Sequence, residues 1–194
     1  MKVLVACEFS GRVRDAFIRR GHEAVSCDLL PSESPGPHYQ GDVRKILRDG
    51  WDLMVAHPPC YRLTTRGRYR ATEAEKREGE EFFMAMVNAP ISRIAIENPK
   101  GAMSRIYRTP DQIIQPWMFG DKINKATCLW LKDCPPLFPT KDVGPENPVH
   151  IDSTTGKRRY SLDYLPCNVD RRRIRSITFQ GIADAMAEQW GWLK

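Results

Sequence analysis

Residues 2–11 read KVLVACEFSG, and this stretch indicates the fold class. Its first six residues form an apolar run that is typical of a buried parallel strand. The residues that follow predict a helix over 11–20, with Val13, Ala16 and Phe17 on its apolar face. The arginines of this helix are expected largely outside that face: Arg12, Arg14, Arg19 and Arg20.

The same alternation of strand and helix continues to residue 97. Apolar runs predict further strands at residues 23–27, 52–56 and 93–97. Helices are predicted over residues 42–49 and 72–88, the second with Thr72 as N-cap and Glu75 completing a capping box. Strands and helices that alternate at this pace predict an α/β fold with a central, mostly parallel sheet and helices on both faces.

Residues 100–175 differ from the rest of the chain, because they are rich in Pro, aromatic residues and Arg and have weak periodicity. A strand is predicted there at residues 127–132, and an amphipathic helix is expected around residues 182–190. We therefore expect a single domain with three parts: a core at 1–99, an extension at 100–175 and a C-terminal helical part at 176–194.

The chain has 194 residues and a net charge of +6, from 30 Lys and Arg against 24 Asp and Glu. This length suits a single domain with a sizeable core. No apolar run approaches the roughly 20 residues that cross a bilayer. The amino terminus lacks the apolar region of a signal peptide, so a cytoplasmic location without membrane contact is expected. The charge alone fits either ordinary solubility or a polyanionic partner.

The six cysteines include no C-x-x-C pair. Four residues of metal-binding type could in principle meet at a metal: Cys128, Cys134, His150 and Cys167. Their spacing matches no zinc module, so no metal site is predicted. Most cysteines of a cytosolic chain are small buried apolar residues. That interpretation suits Cys7 and Cys27 better than Cys60, which follows two prolines.

Polar and reactive side chains follow the predicted strands at the points where the strands end. They are Glu8, Asp28, His57, Cys60 and Glu97. In folds of this class, ligands bind beyond the carboxyl ends of the strands. These residues are therefore the candidates for a functional site.

The first strand end carries features of a cofactor site. Gly11 lies in a turn before a helix, whose N-terminus offers free N–H groups to a ligand. Val13 stands where a dinucleotide-binding turn has its second glycine, which disfavours pyrophosphate. Asp28 is placed to accept hydrogen bonds from ribose hydroxyls. Asp42 could bind an adenine amino group, or it could serve as a helix N-cap. Together these residues predict a cofactor that contains a ribose.

Two prolines rigidify the turn that carries Cys60 and favour a thiol facing a pocket. We expect this thiol to be a nucleophile, with its pKa lowered by the arginines that follow. Those arginines are interleaved with aromatics in one loop: Tyr61, Arg62, Arg66, Arg68, Tyr69 and Arg70. The loop fits phosphate binding, or merely a solvated surface. Glu97 could donate a proton, anchor a heterocycle, or only cap the next turn.

Taken together, these motifs resemble the DNA cytosine-5 methyltransferases. The Phe-x-Gly turn of that family is matched by residues 9–11, its Pro-Pro-Cys turn by residues 58–60 and its Glu-Asn turn by residues 97–98. The resemblance covers about the first hundred residues. It is greatest to the small DNA methylases of phages and prophages, whose Arg-Ser-x-Thr-Phe-x-Gly-Ile-Ala stretch looks like residues 175–183.

This resemblance implies a Rossmann-like methyltransferase that uses S-adenosylmethionine to methylate cytosine C5 in DNA, through a covalent adduct with Cys60. Glu97 would hold or protonate N3 of the cytosine, and Pro59 and Asn98 would complete the catalytic turns. The target base would have to flip out of a duplex. The expected cofactor-binding residues are Cys7, Glu8, Phe9, Ser10, Gly11, Asp28, Leu29, Asp42, Val43, His57 and Pro58.

The sequence departs from the family where the target is recognised. The family's Gln-x-Arg-x-Arg strand has no clean match here, and its separate recognition domain is missing. Residues expected to contact DNA are Arg62, Arg66, Arg68, Lys125, Arg171 and Arg173. We expect DNA to be bound with relaxed specificity, as duplex or single strand. The resemblance also suggests a bacterial or phage-infected cell and a link to restriction-modification.

Three other interpretations stay open. Exocyclic amino methyltransferases use an Asp/Asn/Ser-Pro-Pro-aromatic turn, but His57 and Cys60 stand at its first and last positions here. The missing recognition elements also fit a nucleic-acid-binding protein without catalysis. In the third interpretation the substrate is a small nucleotide and not a polymer, which the arginine-rich segments disfavour.

Overall fold

The computed structural model of the chain describes residues 1–166 and 169–192. Within them, seven strands form the central sheet: β1 (Lys2–Ala6), β2 (Glu23–Asp28), β3 (His38–Gln40), β4 (Leu53–Ala56), β5 (Arg93–Pro99), β6 (Gln112–Ile114) and β7 (Thr127–Lys132). A separate hairpin pairs β8 (His150–Ile151) with β9 (Arg158–Arg159). The α-helices are α1 (Arg12–Arg19), α2 (Thr65–Arg70), α3 (Glu73–Val87), α4 (Met103–Ile106), α5 (Val169–Ser176) and α6 (Gln180–Trp190). Short 3₁₀ helices lie at Val43–Lys45, Pro116–Met118 and Ser161–Asp163.

The strand order of the central sheet is β3-β2-β1-β4-β5-β7-β6. Neighbours from β3 to β5 pair in parallel, and β7 runs antiparallel to both β5 and β6. Because the order reverses between β1 and β4, the fold has a crevice at the carboxyl ends of these two strands, where such sheets bind ligands. The predicted α/β class with a mostly parallel sheet is confirmed.

The sheet separates two apolar cores, because successive residues of a strand point to opposite faces. On one face Val3 packs in a cluster with Phe17 of α1 and Trp190 of α6. On the other face Leu4 packs in a cluster with Phe83 of α3. Helices therefore cover both faces of the sheet, as the sequence predicts.

α1 buries its predicted apolar face, but the expectation that its arginines lie outside that face is wrong for Arg14. This side chain is 0% exposed. Its guanidinium donates to the hydroxyls of Ser26 and Ser32, at 3.1 Å each, and to the carbonyls of Ser34 and Pro35, at 3.1 and 3.0 Å. A guanidinium presents several N–H donors in a fixed plane, so it can be buried wherever a loop supplies matching acceptors.

The helix predicted over residues 42–49 is also wrong, because only the 3₁₀ helix Val43–Lys45 forms there. Asp42 caps it by accepting a hydrogen bond of 3.0 Å from the amide two residues ahead. The indole N–H of Trp51 donates to the carbonyl of Ile46 at 2.6 Å. The same carbonyl also accepts from the amide of Asp49 at 3.3 Å, so the chain continues as a turn with bonds between residues three apart and not as an α-helix.

α3 begins with the predicted capping box. The Thr72 hydroxyl accepts from the amide of Glu75 at 3.2 Å, and the Glu75 carboxylate accepts from the amide of Thr72 at 2.9 Å. The segment after Cys60, by contrast, was expected to be a loop and contains α2. α2 buries no side chain, so it leaves no apolar periodicity in the sequence.

Residues 100–175 contribute two strands to the central sheet. The strand predicted at 127–132 is confirmed as β7, and β6 beside it was not predicted. β7 pairs with β5 in a register that sets Thr127 opposite Pro99, close to the site described below. Among the residues described, no helix is long and apolar enough to cross a membrane.

Candidate active site

The loop that carries Cys60 is docked onto the end of β5. The amide nitrogen Nδ2 of the buried Asn98 donates to the carbonyl of Pro58 at 2.8 Å. Beyond the cysteine, the carbonyl of Leu63 accepts from the backbone amide of Ala102 at 2.8 Å. At Gly101 an added Cβ would lie only 2.3 Å from that same carbonyl oxygen. A residue with a side chain at this position would therefore push the Cys60 loop away.

Glu97 lies at the end of β5, where its carboxylate has several partners. Its Oε2 shares a hydrogen bond of 2.8 Å with Nδ1 of His57, and the hydroxyl of Thr127 also bonds to it. Burial by itself would raise the pKa of Glu97. The hydrogen bonds from His57 and Thr127 and the charge of Lys125 outweigh that effect and lower the pKa. Glu97 is therefore ionised in the resting site.

The pKa of Cys60 is raised, which corrects the expectation of a thiol activated by the arginines that follow it. Burial is the main cause, and the carboxylate of Glu97 adds to it. The cations that oppose the rise are Lys125 and Arg175. The thiol of Cys60 is therefore within electrostatic reach of the carboxylate of Glu97.

The expected thiol-activating arginines have other partners. Arg62 pairs with Glu78 of α3, and Arg68 pairs with Glu80 of the same helix. Carboxylates of α3 therefore neutralise both cations, Arg62 before α2 and Arg68 within it. Arg66 remains exposed on α2.

The turn after β1 is shaped by a buried carboxylate. Glu8 accepts hydrogen bonds from the amide of Val13 at 2.7 Å and from the hydroxyl of Ser10 at 3.1 Å, so it caps the start of α1. Gly11 has a φ of +75°, and a Cβ there would lie 2.5 Å from the guanidinium of Arg14. The predicted glycine turn is thus present, and a glycine is required in it.

Cys7 is the residue that follows β1. Its φ of 59° is rare outside glycine, and such strain gathers at functional sites. Its pKa is raised by burial first, and then by the charges of Asp28, Cys27 and Asp42. The predicted cofactor residues Cys7, Asp28 and Asp42 are therefore neighbours at one edge of the sheet.

The two predicted ligand acids differ in their surroundings. Asp28 accepts from the amide of Leu30 at 2.9 Å, and burial raises its pKa. The apolar side chain of Leu29 beside it is 73% exposed, although Val43 is buried. Asp42 serves as the N-cap that the sequence offered as an alternative, and Arg44 beside it lowers its pKa.

Two small clefts of about 200 Å³ each lie at this edge. The first, which we call the cofactor cleft, is lined by Cys7, Glu8, Phe9, Ser10, His57, Ser176, Ile177 and Thr178. The second, which we call the base cleft, is lined by Glu97, Lys125, Thr127, Thr178, Phe179 and Ile182. Thr178 belongs to both, so the segment before α6 covers the whole edge.

The remaining predicted DNA contacts are spread out. Lys125 lines the base cleft and lies over the ring of Phe179, 5.6 Å from its centroid. Arg171 donates to the carbonyl of Leu165 at 2.8 Å, and Arg173 pairs with Glu33. These two arginines hold α5 against the body of the chain.

Sequence reasoning missed Thr127 and Thr178 as residues of the site. Thr127 was visible only as the first residue of a predicted strand. Thr178 lies in the stretch that resembles the phage methylases, where its motif could have singled it out. No group of three His, Cys, Asp or Glu within the described ranges could hold a metal, and Cys167 lies outside those ranges.

No family model matches the chain, and no curated protein matches it. Among solved structures it is similar to an E. coli protein described as a DNA modification methyltransferase encoded within a prophage, with 14% identity and a TM-score of 0.48. That match covers 68% of this chain and 46% of the other. It is also similar to the S. pombe Dnmt2 methyltransferase, with 13% identity, a TM-score of 0.47 and coverage of 87% and 60%.

The chain thus spans about half of the first of these proteins and three fifths of the second. Both are described as methyltransferases. The chemistry proposed below is therefore argued from the geometry of the site and not from these matches.

Proposed function

We propose that this chain is an S-adenosylmethionine-dependent methyltransferase that methylates cytosine C5 in DNA through a covalent adduct with Cys60. One observation carries the proposal: Asn98 binds the carbonyl of Pro58 at 2.8 Å and so docks the loop of Cys60 beside Glu97. A soft nucleophile and a carboxylic acid side by side are what addition to a heterocycle requires.

The chain's residues suit that addition. The thiol of Cys60 gives its proton to the carboxylate of Glu97, and the thiolate forms a bond to C6 of the flipped cytosine. Glu97 passes the proton to N3, so C5 gains the electron pair for a bond to the methyl carbon, whose bond to the sulfonium sulfur would break with its electron pair left on that sulfur. Loss of the C5 proton to a base and return of the N3 proton to Glu97 then restore the ring. The C6–S bond breaks and the Cys60 thiolate leaves.

The lining of the cofactor cleft supports the proposal of such a ligand. The buried imidazole nitrogen Nε2 of His57 lines it without a hydrogen-bond partner among the described residues. Asp28 would hold the ribose, the exposed side chain of Leu29 would cover the adenine, and the turn at residues 7–11 would hold the remainder. When S-adenosylmethionine is bound, it supplies an electrophilic methyl group.

DNA is the proposed substrate because exposed cations and aromatics lie beside Cys60. Arg66 and Arg70 are exposed on α2, and Tyr69 between them is 91% exposed. Cations of this kind bind phosphates, and exposed aromatic rings stack on bases. Lys125 would contact the target base from the base cleft.

The proposal is tested by trapping. DNA that contains 5-fluorocytosine should form a denaturant-resistant complex with the protein when S-adenosylmethionine is present, because the fluorine at C5 cannot leave as a cation. Cys60→Ser should form none, whereas Cys134→Ser, which changes a half-buried cysteine on another edge, should behave as wild type. A Cys60→Ser protein that still methylates DNA would contradict the proposal.

The second candidate is methylation of an exocyclic amino group. The raised pKa of Cys60 favours it, because that chemistry needs no thiolate. The His-Pro-Pro turn would then present backbone carbonyls to the amino group. Activity of Cys60→Ser, with the product identified as N4-methylcytosine or N6-methyladenine, would establish this reaction instead.

A further inference from the structure

His57 lines the cofactor cleft and is hydrogen-bonded to Glu97, a residue that lines the base cleft. On one side its Nδ1 shares the 2.8 Å hydrogen bond with Glu97 of the base cleft. On the other side the ring lines the cofactor cleft with the turn after β1. The side chain is 7% exposed, and its Nε2 is buried with no partner among the residues that the structure describes.

The tautomer of a neutral ring at His57 follows from its neighbours. Glu97 has a lowered pKa and is an acceptor, so the proton of a neutral imidazole lies on Nδ1. Nε2 is then an acceptor. The nearest carboxylate of the cofactor cleft, Glu8, is already bonded to the amides of α1 and the hydroxyl of Ser10, and Cys7 has a raised pKa and carries no charge. Nothing described in the cleft donates to Nε2.

We propose that His57 is a positioning residue that couples the two clefts: Nε2 accepts a hydrogen bond from a donor group of the bound cofactor while Nδ1–H holds the carboxylate of Glu97. The inference rests on the proposed function, since it names a contact of the proposed cofactor. Occupation of Nε2 by a donor excludes the tautomer with the proton on Nε2. Cofactor binding thereby fixes the donor that orients Glu97 toward the base.

Two donors of the cofactor could make this contact, the amino group of the amino-acid part or a ribose hydroxyl. They are distinguished with two probes. S-adenosylhomocysteine carries both donors, whereas 5′-methylthioadenosine carries only the ribose.

The direct test is ¹⁵N NMR of the imidazoles, which is tractable because the chain has 4 His. His57→Asn assigns the signal. The expected result is a ring protonated at Nδ1, whose Nε2 signal moves when S-adenosylhomocysteine is added. His22, whose Nε2 is likewise buried without a partner in the described structure but which precedes β2 at the opposite edge, should not respond. A proton on Nε2 in the complex, or an Nε2 signal that does not move, would overturn the proposal.

A pair of amide variants gives the second readout. Asn places its amide near the position of Nδ1, and Gln places it near that of Nε2. His57→Asn should therefore lose more affinity for S-adenosylhomocysteine than His57→Gln, by about tenfold, the value of a hydrogen bond to a charged group. His57→Gln should lose more of the trapping rate at saturating cofactor. Equal losses in both variants, as for a purely structural residue, would overturn the coupling.

Failure of the proposed function would give different results from failure of the proposed contact at His57. If wild type binds S-adenosylhomocysteine but traps no cytosine, the base chemistry is wrong, and the NMR shift and the affinities still decide the contact at Nε2. If wild type does not bind S-adenosylhomocysteine, the cofactor assignment and this contact fall together. His22→Asn and His22→Gln are the matched controls for placing an amide at a buried histidine.

Discussion

In the resting site the thiol of Cys60 carries the proton and Glu97 is ionised, whereas the proposed addition needs a thiolate and a protonated Glu97. Burial and the charge of Glu97 keep the thiol of Cys60 protonated, while its partners keep Glu97 ionised. One proton must pass from Cys60 to Glu97 before the thiolate can add to C6. The charge of Lys125 lowers the pKa of Cys60 and so stabilises the thiolate, and it lowers the pKa of Glu97 as well.

This arrangement predicts the effect of removing the cation. Lys125→Met should raise the pKa of Cys60 further, reduce the trapping rate near neutral pH by about tenfold, and move the rising limb of the pH–rate profile to higher pH. Lys125→Arg keeps the charge and should restore most of the rate. The measurement is the trapping rate between pH 6.5 and 9.5. A Lys125→Met profile that overlays that of wild type would contradict the role of Lys125.

Arg14 is the residue whose loss should cost the most stability outside the site. Its removal leaves the hydroxyls of Ser26 and Ser32 and two loop carbonyls without their donor. Arg14→Met should therefore lower the free energy of unfolding by about 3 kcal/mol in urea titrations. Arg48→Met, at an exposed arginine, is the control and should change it by less than about 0.5 kcal/mol. A loss below about 1 kcal/mol for Arg14→Met would show that the loop finds other donors.

At the scale of elements, the site depends on how closely the Cys60 loop approaches the end of β5. The backbone at Gly101 leaves no room for a side chain, because the carbonyl of Leu63 would lie 2.3 Å from its Cβ. Asn98 and the amide of Ala102 tie the same loop by hydrogen bonds. Catalytic geometry is sensitive to displacements of about 1 Å.

Gly101→Ala should therefore reduce the trapping rate by at least about tenfold while the affinity for the cofactor changes much less. The matched control is Gly79→Ala on α3, where the nearest atom is a side-chain Cβ of Arg62 at 3.2 Å. That change should leave trapping intact, and its gain in helix propensity of up to about 1 kcal/mol is offset by the close contact with Arg62. Equal trapping by Gly101→Ala and wild type would contradict the tight docking of the loop.

The elements that the sequence predicted are those that bury apolar residues. β1, β4 and α3 were predicted because each carries an apolar run or stripe and, in α3, a capping box. α2 was missed because its exposed arginines have no apolar period. The 3₁₀ turn at Val43–Lys45 replaced a helix where the carbonyl of Ile46 accepts from the indole of Trp51 and from the amide of Asp49, three residues ahead.

The same logic explains what was predicted of the site. Residues at strand ends could be grouped because a parallel sheet brings those ends together, so Cys60, Glu97 and Asp28 were found. Contacts that depend on distant segments were not visible. Thr127 reaches Glu97 through an antiparallel pairing of β5 and β7, and Thr178 through the path of the chain before α6.

At the scale of the whole molecule, the net charge of +6 conceals an uneven distribution. Arg62 and Arg68 are neutralised by α3, and Arg173 by Glu33. Arg66 and Arg70 remain exposed on α2. Electrostatic binding to DNA should therefore come chiefly from that face of α2.

A double change tests this distribution. Arg66→Gln with Arg70→Gln should weaken DNA binding and reduce the slope of log K against log salt concentration by about 2. The control removes equal charge from the opposite edge of the sheet, with Arg20→Gln and Arg48→Gln, which precede β2 and β4. Fluorescence anisotropy at several salt concentrations gives both slopes. Equal effects of the two pairs would contradict a DNA-binding face at α2.

The covalent role of Cys60 is tested most directly by mapping the trapped complex. The protein is incubated with 5-fluorocytosine DNA and S-adenosylmethionine, digested with protease and nuclease, and analysed by mass spectrometry. The predicted result is a methylated 5-fluorocytosine attached to the peptide that contains Cys60, in wild type and not in Cys60→Ser. Attachment at any other residue, or methylated DNA with no adduct at Cys60, would contradict the mechanism.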